Sequence, residues 1–151
     1  MALRNIIQIG DPTLRKKSFE VTDFGEKTAQ LLGDMKETLD KADGVGLAAP
    51  QIGVLRRIFI VNIDDKLYEC INPVMVSSSG KQIGEEGCLS VRGRQGTVER
   101  PMNVTFKAFN RKGKPFTVKA SGFLARAFCH ENDHLDGVLY VDKAIKTEDE
   151  K

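Results

Sequence analysis

The sequence is poor in several features that mark particular classes of protein. Its 151 residues contain no tryptophan, two tyrosines, two histidines and three cysteines. An odd number of cysteines without paired spacing argues against a disulfide framework and favours reduced thiols. No apolar run approaches the roughly 20 residues that a membrane-spanning helix needs, and the first residues lack the apolar core of a signal peptide. We therefore expect a cytoplasmic protein.

Charge of one sign is also scarce. Lysine and arginine total 23 and aspartate and glutamate total 21, which leaves a formal charge of +2. So small a charge indicates neither nucleic acid nor a membrane as a partner. The 40% hydrophobic and 29% charged residues are ordinary for a globular protein. We expect one catalytic domain over residues 1–151, acting as a monomer, with a charged and frayed tail at 143–151.

The periodicity of apolar residues predicts two helices and several strands. Asp23 and Glu26 suggest a capping box at the start of an N-terminal helix that ends near Gly44. The second helix is predicted at 123–135. Alternation of apolar and polar residues predicts strands at 104–108 and 116–120. Strands are also predicted at 57–63 and 66–71, on either side of a turn at 64–65, and at 74–77 and 138–141. The fold class is therefore α+β, with antiparallel strands packed around a central C-terminal helix and an N-terminal helix before them.

The two histidines of the chain are His130 and His134, and they stand four residues apart with Glu131 between them. On a helix, this H-E-x-x-H spacing places both imidazoles on one face with a carboxylate beside them. Two such imidazoles can bind a divalent metal ion. Glu131 would then take a proton from a water molecule that is bound to the ion.

A metal ion of this kind needs at least one more ligand, and the candidates are the cysteines and the carboxylates. Cys88 is the best candidate because it follows Gly87 in a loop-like segment where the backbone can approach closely. Cys70 and Cys129 are expected in the core. Two imidazoles, one thiolate and a water would make an open, catalytic site. A closed structural metal site, or a protein-binding module without catalysis, is the alternative.

Three segments, taken in order, resemble the peptide deformylase family. Residues 44–51 are similar to its G-x-G-x-A-A-x-Q motif, residues 86–90 to E-G-C-L-S, and residues 130–134 to H-E-x-D-H. The resemblance implies a metal-dependent hydrolase that removes the formyl group from N-formylmethionine on newly made polypeptides and releases formate. H-E-x-x-H alone would also allow a metallopeptidase or an amidase of another acyl specificity.

The resemblance also assigns roles to individual residues. It implies one divalent metal ion, Fe(II) in cells with zinc, nickel or cobalt also accepted, and a metal-bound water as nucleophile. Glu131 would be general base and then general acid. The implied metal ligands are Cys88, His130 and His134; the oxyanion donors are the Gln51 side chain and the Leu89 backbone N–H; the substrate contacts are Val45 and Gly46; and Glu86 and Arg100 form a structural salt bridge.

Some features of the sequence depart from the family's pattern. Cys129 stands where glutamine is common, which puts the hydrogen bonding around the first metal histidine in question. Arg92 stands where a proline is common, and it is expected to reshape the substrate cleft. Some members dock on the ribosome through a longer C-terminal helix, and the charged tail here leaves little room for one.

Overall fold

Antiparallel strands form two separate sheets in the computed structural model, which describes residues 2–149. In chain order the strands are β1 (Gly46–Ala48), β2 (Ile58–Ile63), β3 (Lys66–Ser79), β4 (Gln82–Cys88), β5 (Val91–Arg100), β6 (Asn103–Phe109), β7 (Pro115–Ser121) and β8 (Ala144–Asp149). The larger sheet has the order β1-β2-β3-β6-β7 and the smaller one the order β4-β5-β8. Strands β1 and β4 therefore both lie at sheet edges.

Within residues 2–149, three α-helices accompany the sheets: α1 (Glu26–Ala42), α2 (Gly122–Leu135) and the short α3 (Tyr140–Lys143). Helix α2 contacts β1, β2, β6 and β7 of the larger sheet and β5 of the smaller one. The predicted α+β class with a central C-terminal helix is confirmed. Within the described residues, no helix combines the length and the apolar character that crossing a membrane requires.

The core holds α2 firmly against the larger sheet. Phe128 of α2 is fully buried, and its ring centroid lies 5.4 Å from the rings of both Phe59 and Phe106. A second apolar cluster packs the Leu31, Leu32, Met35 and Leu39 face of α1 on the other side of that sheet. Because residues 125–131 of α2 are all buried, the side chains that this part of the helix carries have well-defined positions.

The start of α1 differs from the predicted capping box. Gly25 is the N-cap and provides no side-chain hydrogen bond. Asp23 instead accepts a hydrogen bond from the N–H of Gly25 at 2.9 Å, while its carbonyl accepts one from the hydroxyl of Thr28 at 2.6 Å. Asp23 lies two residues before the N-cap, so it stabilises the turn that precedes the helix and does not cap the helix itself.

The C-terminal segment was predicted wrongly in two respects. Residues 138–141 do not form a strand; Tyr140 is buried at the start of α3. Residues 144–149 do not fray; they form β8, which pairs antiparallel with β5. The polar sequence of β8 gives little strand signal, and pairing with the backbone of β5 stabilises it instead. Residues 150–151 of the expected tail lie outside the described residues.

Candidate active site

Side chains from β4 and α2 converge on one point. Cys88 lies at the end of β4, and His130 and His134 lie one turn apart on α2. Their candidate ligand atoms all lie within 4.8 Å of one another, and Cys88 Sγ is 3.4 Å from His134 Nε2. That separation suits two ligands that each lie about 2.0–2.3 Å from a shared ion. The three residues predicted from sequence as ligands are thus brought together.

The carboxylate of Glu86 orients one of the two imidazoles. Glu86 Oε1 lies 2.8 Å from Nδ1 of His130, which leaves Nε2 of that ring to face Cys88. Arg100 donates to both oxygens of Glu86 at 2.9 Å. Burial opposes the charge of Glu86, yet its hydrogen bonds with Arg100 and His130 hold the pKa of Glu86 well below its ordinary value. An anionic partner on Nδ1 makes an imidazole a stronger metal ligand.

The two histidines differ in their electrostatic surroundings. Burial alone would lower the pKa of His130, but hydrogen bonds with Cys88 and Glu86 hold it well above its ordinary value. Burial, together with the nearby His130 and Arg100, holds the pKa of His134 well below its ordinary value. A neutral imidazole is the form that binds a metal ion, and the lowered pKa of His134 favours that form.

Glu131 is buried beside the cluster, with only 5% of its surface exposed. Burial, with a contribution from Glu86 and against the influence of His130, raises the pKa of Glu131 to about 7. Its Oε1 is buried and has no hydrogen-bond partner among residues 2–149. A methyl group on Gly46 would lie 2.5 Å from Oε2 of Glu131, so the absence of a side chain on Gly46 makes room for this carboxylate.

The side-chain amide nitrogen of Gln51 lies beside the candidate ligand Cys88. Gln51 Oε1 accepts a hydrogen bond from the backbone N–H of Ala48 at 2.9 Å, which determines the orientation of the amide. Nε2 then donates to Ser90 Oγ at 3.0 Å and lies 3.5 Å from Cys88 Sγ. Leu89 follows Cys88, and its carbonyl accepts a hydrogen bond from Gln8 at 2.8 Å. Both predicted oxyanion donors therefore border the cluster.

A cavity of about 930 Å³ opens onto the cluster. Cys88, His130 and Glu131 lie in its wall, as do the predicted substrate contacts Val45 and Gly46. Val45 has 37% of its surface exposed. Gln51, Leu89 and Arg92 also line this cavity. The residues predicted from three distant motifs thus share one cleft.

Cys70, Cys129 and Asp133, the fourth residue of the H-E-x-D-H segment, do not line this cleft. Cys70 and Cys129 are buried in the apolar core, and burial raises the pKa of Cys129 to about 11. Asp133 accepts one hydrogen bond from Arg100 at 2.7 Å and forms an ion pair with Lys143 at 3.1 Å. It therefore supports the network behind Glu86.

Sequence reasoning missed one member of the network. Arg126 is buried and donates to Glu86 Oε2 at 2.6 Å. Its position four residues before His130 places it one turn earlier on the same side of α2. That spacing was visible in the sequence, but an arginine in a helix is ordinarily solvated, and nothing local shows that β4 covers it.

Comparisons with known proteins agree with this architecture. The sequence pattern described as polypeptide deformylase matches residues 3–150. Peptide deformylase 1 of Clostridium acetobutylicum is 48% identical over 148 residues, which are 98% of this chain and 99% of that protein. The chain belongs to the peptide deformylase family. The peptide deformylase of Clostridium botulinum is 51% identical over 146 residues, which are 97% of this chain and 99% of that protein.

Solved peptide deformylases also share the fold. The crystal structure of a peptide deformylase from Legionella pneumophila matches with a TM-score of 0.91 at 44% identity, covering 93% of this chain and 85% of that one. The Thermotoga maritima peptide deformylase matches with a TM-score of 0.92 at 37% identity, covering 94% of this chain and 97% of that one. The family and the enzyme class predicted from the three motifs are confirmed.

Peptide deformylases are metal-dependent, and the residues present here fit an ion. Two imidazoles and a thiolate form a three-ligand set with room for a further ligand, which is typical of catalytic sites. Oε1 of Glu131 has no hydrogen-bond partner among the described residues, and Glu131 lines the same cavity as Cys88 and His130. The donor set accepts several first-row divalent ions.

Proposed function

We propose that this enzyme hydrolyses the formamide bond of N-formylmethionine at the N-terminus of newly made polypeptides and releases formate. The observation that carries the proposal is the convergence of Cys88, His130 and His134 within a peptide deformylase fold. Beside them lies the buried carboxylate of Glu131, whose Oε1 has no hydrogen-bond partner among the described residues. The cleft above them is large enough for a methionine side chain and an extended peptide.

We assign the metal ligands as Cys88, His130 and His134, and Fe(II) as the ion used in cells. When bound, a divalent ion lowers the pKa of a water molecule and polarises the formyl oxygen. Cys88 supplies a thiolate, which neutralises one charge of the ion. Glu86 keeps His130 oriented with Nε2 towards Cys88.

Glu131 transfers the proton in this proposal. Its buried carboxylate takes a proton from the attacking water as the new C–O bond forms. It then gives that proton to the methionine nitrogen as the C–N bond breaks. A carboxyl group whose pKa lies near 7 can both accept and return a proton at neutral pH.

Two donors stabilise the negative charge that develops on the formyl oxygen. The Gln51 amide is oriented before the reaction by its bond from Ala48, so little reorganisation is needed. The backbone N–H of Leu89 is the second donor, and the Gln8 bond to the Leu89 carbonyl steadies that segment.

The substrate peptide binds in the cleft between two sheet edges. Gly46 belongs to β1, and β1 pairs with β2 on one side only. An extended peptide can pair with its free side, as in strand addition. Val45 contributes to the apolar pocket for the methionine side chain. We further propose that nascent chains are the partners; ribosome docking and a cytoplasmic location stay predictions.

Replacing Gln51 by leucine should lower kcat by about 100-fold, because one oxyanion donor is lost. Formate release under saturating substrate measures the change. Ser90→Ala is the matched control, because it removes the acceptor of Gln51 at 3.0 Å and keeps the amide. An equal loss in Ser90→Ala would show that the Gln51 amide does not act as a direct donor.

The proposed reaction is tested on anaerobically purified, metal-loaded protein. The substrates are a formyl-Met peptide and the same peptide without the formyl group, and the products are formate and any cleaved peptide. Formate release from the first peptide alone is expected. Cleavage of peptide bonds without formate release would instead support the alternative metallopeptidase.

A further inference from the structure

Arg126 links α2 to the smaller sheet. It is buried, with 5% of its surface exposed, and lies one turn before His130. Its Nη1 donates to Glu86 Oε2 at 2.6 Å, to the carbonyl of Val98 at 3.1 Å and to the carbonyl of Gly84 at 3.4 Å. These three acceptors lie on β4 and β5, so one guanidinium joins the helix to two strands.

The candidate metal ligands come from the same two parts of the fold. Cys88 lies on β4, whereas His130 and His134 lie on α2. The distance of 3.4 Å between Cys88 Sγ and His134 Nε2 therefore depends on how β4 sits against α2. We propose that Arg126 is a positioning residue that sets this placement, and with it the geometry of the metal ligands.

Arg126 also completes the support of His130. Glu86 binds His130 through Oε1 and Arg126 through Oε2, and Arg100 contacts both oxygens. Arg100 belongs to β5, in the same sheet as Glu86, and its guanidinium is shared with Asp133. Arg100 reaches α2 through Asp133, whereas the guanidinium of Arg126 joins the turn before His130 to Glu86 and to the backbone of both β4 and β5.

The strand opposite Arg126 leaves room for its side chain. A methyl group on Gly84 would lie 3.1 Å from Nη2 and 3.4 Å from Cζ of Arg126. These contacts are tight enough that the guanidinium must shift by a few tenths of an ångström. Gly84→Ala therefore disturbs the Arg126 contact without removing its charge, and it provides a second and milder variant.

The inference rests on the proposed metal site, and cobalt(II) is the probe. Cobalt-loaded protein is challenged with excess chelator, and the rate of cobalt release and the visible spectrum of bound cobalt are recorded. Arg126→Met should release cobalt about 10-fold faster, the scale seen when residues behind metal ligands are changed. Its spectrum should shift, because the sulfur and nitrogen ligands move apart. Gly84→Ala should change both readouts in the same direction by less.

Arg57→Met is the matched control. Arg57 also joins α2 to its surroundings, donating to the carbonyl of Leu135 and to Asp136 at 3.0 Å, but it has no hydrogen bond to Glu86 or to a metal ligand. It should lower Tm without changing cobalt release or the spectrum. If the rate of cobalt release from Arg126→Met were within two-fold of the rate from Arg57→Met, or if its spectrum were unchanged, the role of Arg126 would be excluded and the proposed metal site would still stand. A wild-type protein that binds no cobalt would overturn the metal site as well.

Discussion

Glu131→Gln is expected to lower kcat by about 1000-fold, within the range that a general acid–base residue contributes. Glutamine has nearly the same size and keeps the buried position, but it can neither accept a proton from water nor return it to the leaving nitrogen. Glu131 makes no hydrogen bond through Oε1 within the described part of the chain. The substitution therefore removes proton transfer and breaks no structural contact of that atom.

The measurement combines formate release with metal analysis and thermal unfolding. Metal content and Tm should match those of the wild type. Glu20→Gln removes an exposed carboxylate that is distant in sequence from Glu131, and it controls for the loss of a carboxylate as such. A Glu131→Gln enzyme that keeps near-normal turnover would exclude Glu131 as the proton-transfer group. Such tolerance is what a closed structural metal site would show.

Cys88→Ser is expected to weaken metal binding by more than about 100-fold, since residues behind the ligands already account for about 10- to 100-fold. The serine hydroxyl keeps the size of the side chain but stays protonated near neutral pH. The ion would then lose its anionic ligand and keep only two neutral imidazoles. Competition with a coloured chelator under anaerobic conditions gives the dissociation constant, and activity at limiting metal should fall in parallel.

Cys70→Ala provides the control for Cys88→Ser. Cys70 is fully buried in the core, where burial raises the pKa of its thiol. Removing it should reduce the free energy of unfolding and leave metal affinity within two-fold of the wild type. If Cys88→Ser kept its full metal content, coordination and activity, Cys88 would not be a ligand.

Much of the fold could be predicted because the signal was local. The spacing of apolar residues predicted both long helices, alternation predicted β6 and β7, and the turn at 64–65 placed β2 and the first part of β3. Strand β1 was missed because it has only three residues, and β4, β5 and β8 were missed because they are polar or rich in glycine. The residues of β4, β5 and β8 gain strand structure from pairing with one another, as the registers of β4 with β5 and of β5 with β8 show.

The same distinction applies to the site. His130, Glu131 and His134 could be placed together from sequence, because helical geometry alone brings residues four apart onto one face. Cys88 stands 46 residues before His134, so its place after Gly87 and its motif could suggest the role, but only the fold brings the two residues together. Arg126 carried no motif. Its contact with Glu86 depends on how α2 packs on β4.

The sequence by itself determined the family, the α+β class and the identity of the chemical groups, because each of these depends on residue type and on short spacing. The tertiary structure alone decided that Glu86 also accepts from Arg126 while it holds His130, and that Gly46 lies against Glu131. The two contacts of Glu86 join residues 40 and 44 positions apart in the chain, and Gly46 and Glu131 are farther apart still. Such contacts arise only when the two sheets and α2 bury their apolar faces together.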